Sequence, residues 1–284
     1  ILLGCQPSER SADTIASYKS EMETWHKKRE DRLLSPVGWL SVRGLYWLKD
    51  GINSFGSDVS NDVVFPKDKI AAKAGFFMLL DTIVTMELIA GVKVTSKGQQ
   101  ISSMIIFHPD SAESKVLESG SLQWFVIKRD DKIGVRLRDF ETEKIKEFKG
   151  IDTYEPDLDW KLEAKLTVPL GKKIAMVNVL GQTYLNPVMG TITFPYSGKQ
   201  YSLDAIDEDG RLFIIYGDAT NGKETYGSGR YLYADMPVSG DKVDLDFNKS
   251  TNPPCAFTEF ATCLLPPKQN ILPFEVTAGE KAYH

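Results

Sequence analysis

The sequence predicts a mainly β protein: an antiparallel barrel or sandwich preceded by one helix. Three observations predict it. From Val37 onward, apolar and polar residues alternate at period two. Compact turn signals punctuate the runs, among them Lys49-Asp50-Gly51, Asp130-Asp131, Ser197-Gly198, Glu208-Asp209-Gly210, Asn221-Gly222 and Ser239-Gly240. No strand–helix–strand spacing occurs, which excludes a doubly wound parallel sheet.

At 284 residues the chain is long enough for one large domain or two ordinary ones. Apolar residues make up 42% and charged residues 26%, which is ordinary globular usage and neither a disordered tail nor a membrane bundle. Thirty-four basic and 39 acidic residues give a net charge of −5, which argues against a nucleic-acid surface. No apolar run reaches the roughly 18 residues that a membrane-spanning helix needs. With 3 histidines and 3 cysteines, no His/Cys metal site is expected. No dinucleotide fingerprint, phosphate loop, zinc spacing or haem-attachment motif is present, so no cofactor is expected either.

The first element is a targeting signal. Leu2-Leu3-Gly4-Cys5 resembles the end of a bacterial lipobox, in which the Cys receives a lipid. Gln6 to Arg10 then read as a polar tether. The expected partner is therefore a membrane, reached through a lipid on Cys5. The expected location is the periplasmic face of the cell envelope. Gln6 rather than Asp follows Cys5, which the lipobox resemblance takes as an outer-membrane signal. The other reading is a chance Leu-Leu-Gly-Cys.

Residues 11 to 35 read as the helix. Ile15, Tyr18, Met22 and Trp25 form one stripe, Ser11 is the expected N-cap and Pro36 the stop. His26 has no ligand-spaced partner and reads as an ordinary helical histidine. The organisation is thus 1–10 tether, 11–36 helix and 37–284 mainly β. A candidate break between two lobes lies near 150–160, where Asp152, Glu155, Pro156, Asp157 and Asp159 crowd. Strands are expected over 75–80, 122–127, 135–140, 174–180, 212–216 and 231–233.

Two hairpins can be registered on paper. With Asp130-Asp131 as a two-residue turn, Phe125 faces Arg136 and Gln123 faces Arg138, while Trp124, Val126, Val135 and Leu137 form the opposite, core face. Arginines beside an aromatic ring suit an anion-binding cavity. A solvated face with arginine stems over the ring is the alternative. A turn at Asn221-Gly222 sets Gly217 against Tyr226, Ile215 against Ser228 and Phe213 against Arg230. Gly227-Ser228-Gly229 then reads as a β-bulge or a close backbone approach to a ligand. Asp244, Asp246 and Asn248 alternate with Val243, Leu245 and Phe247, which fits an edge strand or a hard-cation site. Asp207-Glu208-Asp209-Gly210 lacks the ligand ladder of a calcium loop and reads as a turn.

In the last segment two Pro-Pro pairs, Pro253-Pro254 and Pro266-Pro267, preclude regular ladder bonding. Cys255 and Cys263 either close a short disulfide, with loop entropy near 2.6 kcal/mol, or stand as two buried thiols.

Together these pieces resemble the family named domain of unknown function 1684. They are Gly38-Trp39-Leu40 with Gly44-Leu45-Tyr46-Trp47-Leu48, Gly134-Val135-Arg136-Leu137-Arg138-Asp139, Asp218-Ala219-Thr220-Asn221-Gly222, Thr225-Tyr226, Gly229-Arg230, Asp246-Phe247-Asn248, Asn252-Pro253-Pro254-Cys255, Pro266-Pro267, Asn270 and Ala278-Gly279-Glu280. They span nearly the whole chain after the tether. Leu264 stands after Cys263 where the family pattern has Pro. The resemblance implies positions and no chemistry.

Three readings follow. The first is a small-molecule binder, with Arg136, Arg138, Tyr226, Arg230, Asp246 and Glu280 holding a polar or anionic ligand and Phe125 and Phe213 lining the pocket. The second is a hydrolase using a pair among Asp218, Asp246 and Glu280 with an arginine stabilising negative charge. The third is an interaction module presenting Trp39, Tyr46 and Trp47.

Overall fold

The computed structural model describes residues 11–111 and 113–283. The tether, and with it Cys5, lies outside the described residues. The protein is mainly β, with antiparallel sheets and one long N-terminal helix.

Helix α1 spans Ala12–Leu34. Ser11 Oγ accepts the Thr14 N–H at 3.2 Å, the capping bond its residue type favours. Tyr18 and Met22 are buried, whereas Ile15 is 41% exposed and Trp25 half-buried. The buried stripe is therefore narrower than the apolar pattern predicts, and polar Arg29 continues it.

The described chain, this helix included, forms two compact units. The N-proximal unit comprises Arg32–Lys149 with Thr258–Ala261; the C-proximal unit comprises the described residues up to Asp31, Gly150–Phe257 and those from Thr262 onward. The N-proximal strands are β1 (Val42–Trp47), β2 (Gly51–Gly56), β3 (Val63–Val64), β4 (Gly75–Leu80), β5 (Ile83–Leu88), β6 (Val94–Ser96), β7 (Gln99–Ile101), β8 (Ser103–Phe107), β9 (Leu117–Ser119), β10 (Leu122–Arg129) and β11 (Lys132–Asp139). They form a six-stranded sheet ordered β1-β11-β10-β9-β6-β7 and a five-stranded one ordered β3-β2-β4-β5-β8. Strict alternation works here: every second residue of β4, beginning at Gly75, is buried. The core is aromatic. Phe55 stacks on Phe77 at 4.4 Å, and Phe65 meets Trp124 edge-on at 5.3 Å. The β10–β11 hairpin has the register expected of a two-residue turn, with Phe125 opposite Arg136 and Gln123 opposite Arg138. Asp130 supplies the turn's positive φ of 56°.

The C-proximal strands are β12 (Lys161–Thr167), β13 (Lys173–Val177), β14 (Thr183–Pro187), β15 (Gly190–Tyr196), β16 (Lys199–Glu208), β17 (Arg211–Tyr216), β18 (Arg230–Ala234) and β19 (Lys242–Asp246). The main sheet runs β18-β17-β16-β15-β12-β19, and β13 and β14 form a separate ribbon. Strand β17 is buried on both faces. Leu212, Ile214 and Tyr216 join a core with Phe194 and Phe247, while Phe213 and Ile215 join Ile174 and Met176.

The second hairpin differs from its paper register. Tyr216 pairs with Arg230, and Phe213 with Tyr233 rather than Arg230. The cause is local bonding by short polar side chains. Asn221 Oδ1 accepts the Asp218 N–H at 2.7 Å, and Asp218 Oδ1 accepts the Thr220 N–H at 2.8 Å. These bonds replace the ladder over residues 217–229. The offset is odd, so Arg230 moves to the Tyr216 face, away from Phe213 and Ile215. Strand β13 also stops at Val177, short of the expected 180, because Asn178 Oδ1 accepts the Leu180 and Gln182 N–H groups in a turn.

Met22→Ala should cost about 2–5 kcal/mol, since Met22 has no exposure. Ile15→Ala on the same helix should stay within about 0.5 kcal/mol. Urea denaturation of both variants checks this.

Candidate functional site

Arg230 opens β18 with a fully buried side chain. Its Nη2 donates to Asp218 Oδ2 and to the Val276 carbonyl, each at 2.8 Å, and its Nη1 donates to the Ala278 carbonyl. The guanidinium also stacks over Tyr216, 5.4 Å from the ring centre. Asp218 is equally buried, and its Oδ1 accepts from Thr220 and from the Val276 N–H at 3.2 Å. The pair holds the C-terminal segment onto the sheet. Burial pushes the Tyr216 hydroxyl up to about 12, so it remains a neutral donor to Ser250 Oγ at 2.7 Å.

Glu280 is fully buried. Its Oε1 accepts from Arg29 Nε at 2.9 Å and its Oε2 from the Asn252 N–H at 2.6 Å. Asp246 closes β19 and begins a 3-10 turn, Phe247–Lys249. Its Oδ1 accepts from the Tyr18 hydroxyl at 2.7 Å and from Asn248, and its Oδ2 faces Lys249 at 3.5 Å. Burial, reinforced by this carboxylate, raises the Tyr18 hydroxyl far above its ordinary value. Asp244 is exposed while Asp246 and Asn248 are buried, as on an edge strand whose end folds inward.

These contacts change the reading of three expected ligand-binding residues. Arg230, Asp246 and Glu280 are built into the C-proximal unit by charged and hydrogen-bonding protein partners, although the Arg230 Nε is buried without a hydrogen-bond partner. Tyr226 is half-buried in the 217–229 loop, and its carbonyl accepts from Asn221 Nδ2 at 3.2 Å. Gly217 leaves no ligand space, because a Cβ there would meet Ile271 Cδ1 at 2.8 Å. The carboxylates of Asp218, Asp246 and Glu280 do not form an open acid–base pair. Sequence reasoning missed Arg29, Asn252 and Tyr18, whose roles depend on contacts over 200 residues away in the chain.

Arg136 and Arg138 sit differently. Both lie on β11 of the N-proximal unit, on the face away from the aromatic core. Arg136 is 4% exposed, stacks over Trp39 at 5.3 Å and donates from Nη2 to the Phe260 carbonyl at 3.2 Å. Arg138 stacks over Phe125 at 5.0 Å and donates to Gln123 Oε1 and the Val37 carbonyl. The Nε of each is buried without a partner. Among the described residues, neither has a carboxylate within ion-pair distance. Burial, followed by the positive charges of Arg129 and Arg138, lowers Arg136 to about 10. Burial lowers Arg138 as well. Both remain cationic at neutral pH.

Trp39, Tyr46 and Trp47 do not form an exposed aromatic patch. Each is half-buried: Trp39 lies under Arg136, the Tyr46 hydroxyl donates to the Val64 carbonyl at 2.6 Å, and Trp47 lies under Lys132. A groove lined by Ser96, Lys97, Ser114, Lys115 and Glu118 contains none of the expected site residues. Among the described residues no group of His, Cys, Asp and Glu could hold a metal, and no helix is long and apolar enough to cross a membrane. Cys255 and Cys263 are paired as a disulfide, their Cα atoms 6.2 Å apart.

Residues 146–281 match the family model described as "Protein of unknown function (DUF1684)". The Gly38–Leu48 and Gly134–Asp139 pieces of the resemblance lie outside that match. Among solved structures, the chain is similar to the solution NMR structure of an uncharacterized protein of Haloarcula marismortui. The identity is 32%, covering 49% of this chain and 80% of that one, with a TM-score of 0.41. No curated protein matches the chain.

Asp218→Asn should strand the buried Arg230 charge and cost about 3–5 kcal/mol. Adding Arg230→Met to it should cost less than the sum of the single changes. Equilibrium urea unfolding of the two single variants and the double variant reads the difference.

Proposed function

We propose that this protein, whose residues 146–281 match a family of unknown function, binds a small anionic ligand through Arg136 and Arg138 of its N-proximal unit. One observation carries the reading: the buried Arg136 and the half-buried Arg138 have no carboxylate partner among the described residues, whereas Arg230, whose Nε is unpartnered like theirs, has Asp218. A desolvated cation without a counter-charge is costly. Arg230 in the other unit shows how this chain treats a cation used only for structure, since it has Asp218, two carbonyls and an aromatic face. Stacking on Trp39 and Phe125 fixes the planes of Arg136 and Arg138 and leaves edge N–H groups for a planar or tetrahedral anion. The reading is of binding, with no acid–base pair and no bond made or broken.

We propose further that the protein is held at a membrane of the cell envelope by a lipid on Cys5. This rests on Leu2-Leu3-Gly4-Cys5 alone. In cells expressing the full gene, an alkyne fatty acid should label the protein, and Cys5→Ala should abolish the label. Equal labelling of that variant would contradict the anchor.

Calorimetric titration with phosphate, sulfate, succinate and citrate tests the site. At least one should bind, and Arg136→Gln should weaken it roughly tenfold or more, the loss of one charge-assisted hydrogen bond. Arg138→Gln, at a less buried position, should weaken it in the same direction. Absence of binding by all four anions, or affinity unchanged in both variants, would overturn the reading.

A further inference from the structure

Strand β4 is apolar on both faces. Its run Gly75-Phe76-Phe77-Met78-Leu79-Leu80 buries every second residue from Gly75, which turns Phe76, Met78 and Leu80 to solvent. A strand with one solvated face normally alternates with polar residues, and an unbroken apolar run belongs to a strand covered on both sides. The neighbouring strands extend the same face. Met78 stands opposite Ile52 of β2 and Thr85 of β5, and Thr85 stands opposite Ile105 of β8. Ile52, Phe76, Met78, Leu80 and Ile105 are each between 39% and 66% exposed. Together they make an apolar plateau on the order of 500 Å², within the size range of functional surface patches. The rim is acidic. Asp50 and Asp81 stand at the end where β2 begins and β4 turns into β5. At the other end Glu87 lies opposite Phe76, and Asp62 accepts from the Ser54 hydroxyl at 2.7 Å. All four carboxylates are exposed. Lys49, the cation beside them, faces Asp62 at 4.0 Å.

We propose that this face of the N-proximal unit docks a segment of another protein that carries an apolar strip flanked by lysine or arginine. Charge complementarity names the occupant. Carboxylates at both ends of an apolar plateau attract a cationic rim and repel an acidic one. A second copy of this chain would set carboxylates against carboxylates, and the plateau falls short of the roughly 800 Å² per partner of a standard interface. Anionic lipid headgroups meet the same repulsion. The apolar centre supplies affinity as its side chains leave water, while the rim supplies selection and association rate. The plateau lies on the β3-β2-β4-β5-β8 sheet and the proposed anion site on the other sheet of the same unit, so neither reading depends on the other.

Fluorescence anisotropy of a short labelled amphipathic peptide of leucine and lysine, titrated with the full chain, tests the docking face. A peptide of leucine and glutamate with the same pattern is the reference. The leucine–lysine peptide should bind about tenfold tighter or better. The triple variant Ile52→Ser/Met78→Ser/Ile105→Ser, which leaves every charge in place, should weaken it roughly tenfold. Asp50→Asn/Asp81→Asn should weaken it severalfold, whereas Asp130→Asn/Asp131→Asn, the same charge loss at the β10–β11 turn, should leave it unchanged. All the substituted residues are exposed, so circular dichroism should show the parent fold throughout. Equal binding of the two peptides, or equal affinity of the parent and the triple variant, would overturn the proposal. A dimer in sedimentation equilibrium that the triple variant dissociates, or binding to phosphatidylcholine vesicles that it abolishes, would also overturn it, because each gives the face a different occupant.

Discussion

A guanidinium removed from water needs its charge and its N–H groups answered by protein, and in the C-proximal unit Arg230 is answered on every side but one. Asp218 supplies the counter-charge, the Val276 and Ala278 carbonyls take further protons, and Tyr216 covers the face. The consequences spread outward along the chain. Asp218 fixes the first turn of the 217–229 loop through Thr220, and the loop in turn sets where β18 begins. Val276 and Ala278 draw an irregular, proline-rich segment across the sheet. Glu280 then finds Arg29 of the helix. An ion pair of this kind need not add net stability over a well-packed apolar alternative. What it adds here is a defined path for a segment that has no strand of its own.

The same requirement gives the N-proximal unit its functional interest. Arg136 and Arg138 are desolvated too, yet among the described residues they receive carbonyl and amide oxygens and aromatic faces rather than carboxylates. Arg136 also feels the positive charges of Arg129 and Arg138. That one arginine has a carboxylate and, among the described residues, these two have none is the contrast on which the proposed anion site rests.

Much of the fold was legible because its rules are short-range. A two-residue turn leaves one register open to the β10–β11 hairpin, and Trp124, Val126, Val135 and Leu137 then share the core by parity. The β-rich class followed from period two and from turn residues. The 217–229 loop was not legible. Asn221-Gly222 signals a tight hairpin, but Asp218, Thr220, Asn221 and Thr225 bond to one another first, and the register moved by an odd step. Residue type picked out the arginines and carboxylates as unusual. It could not distribute them between two units, nor reveal that Glu280 meets Arg29 and Asp246 meets Tyr18, because those partners are remote in sequence. The helix shows the same limit: Ile15 continues the apolar stripe and still faces solvent.

The central claim is that the arginine face of the N-proximal unit is where an anion belongs. The most direct measurement is anomalous diffraction from a crystal of the full chain grown in bromide, with the bromide sites located. The account predicts a bromide within hydrogen-bond reach of the Arg136 or Arg138 guanidinium. Bromide confined to exposed lysines, with none at either arginine, would contradict it.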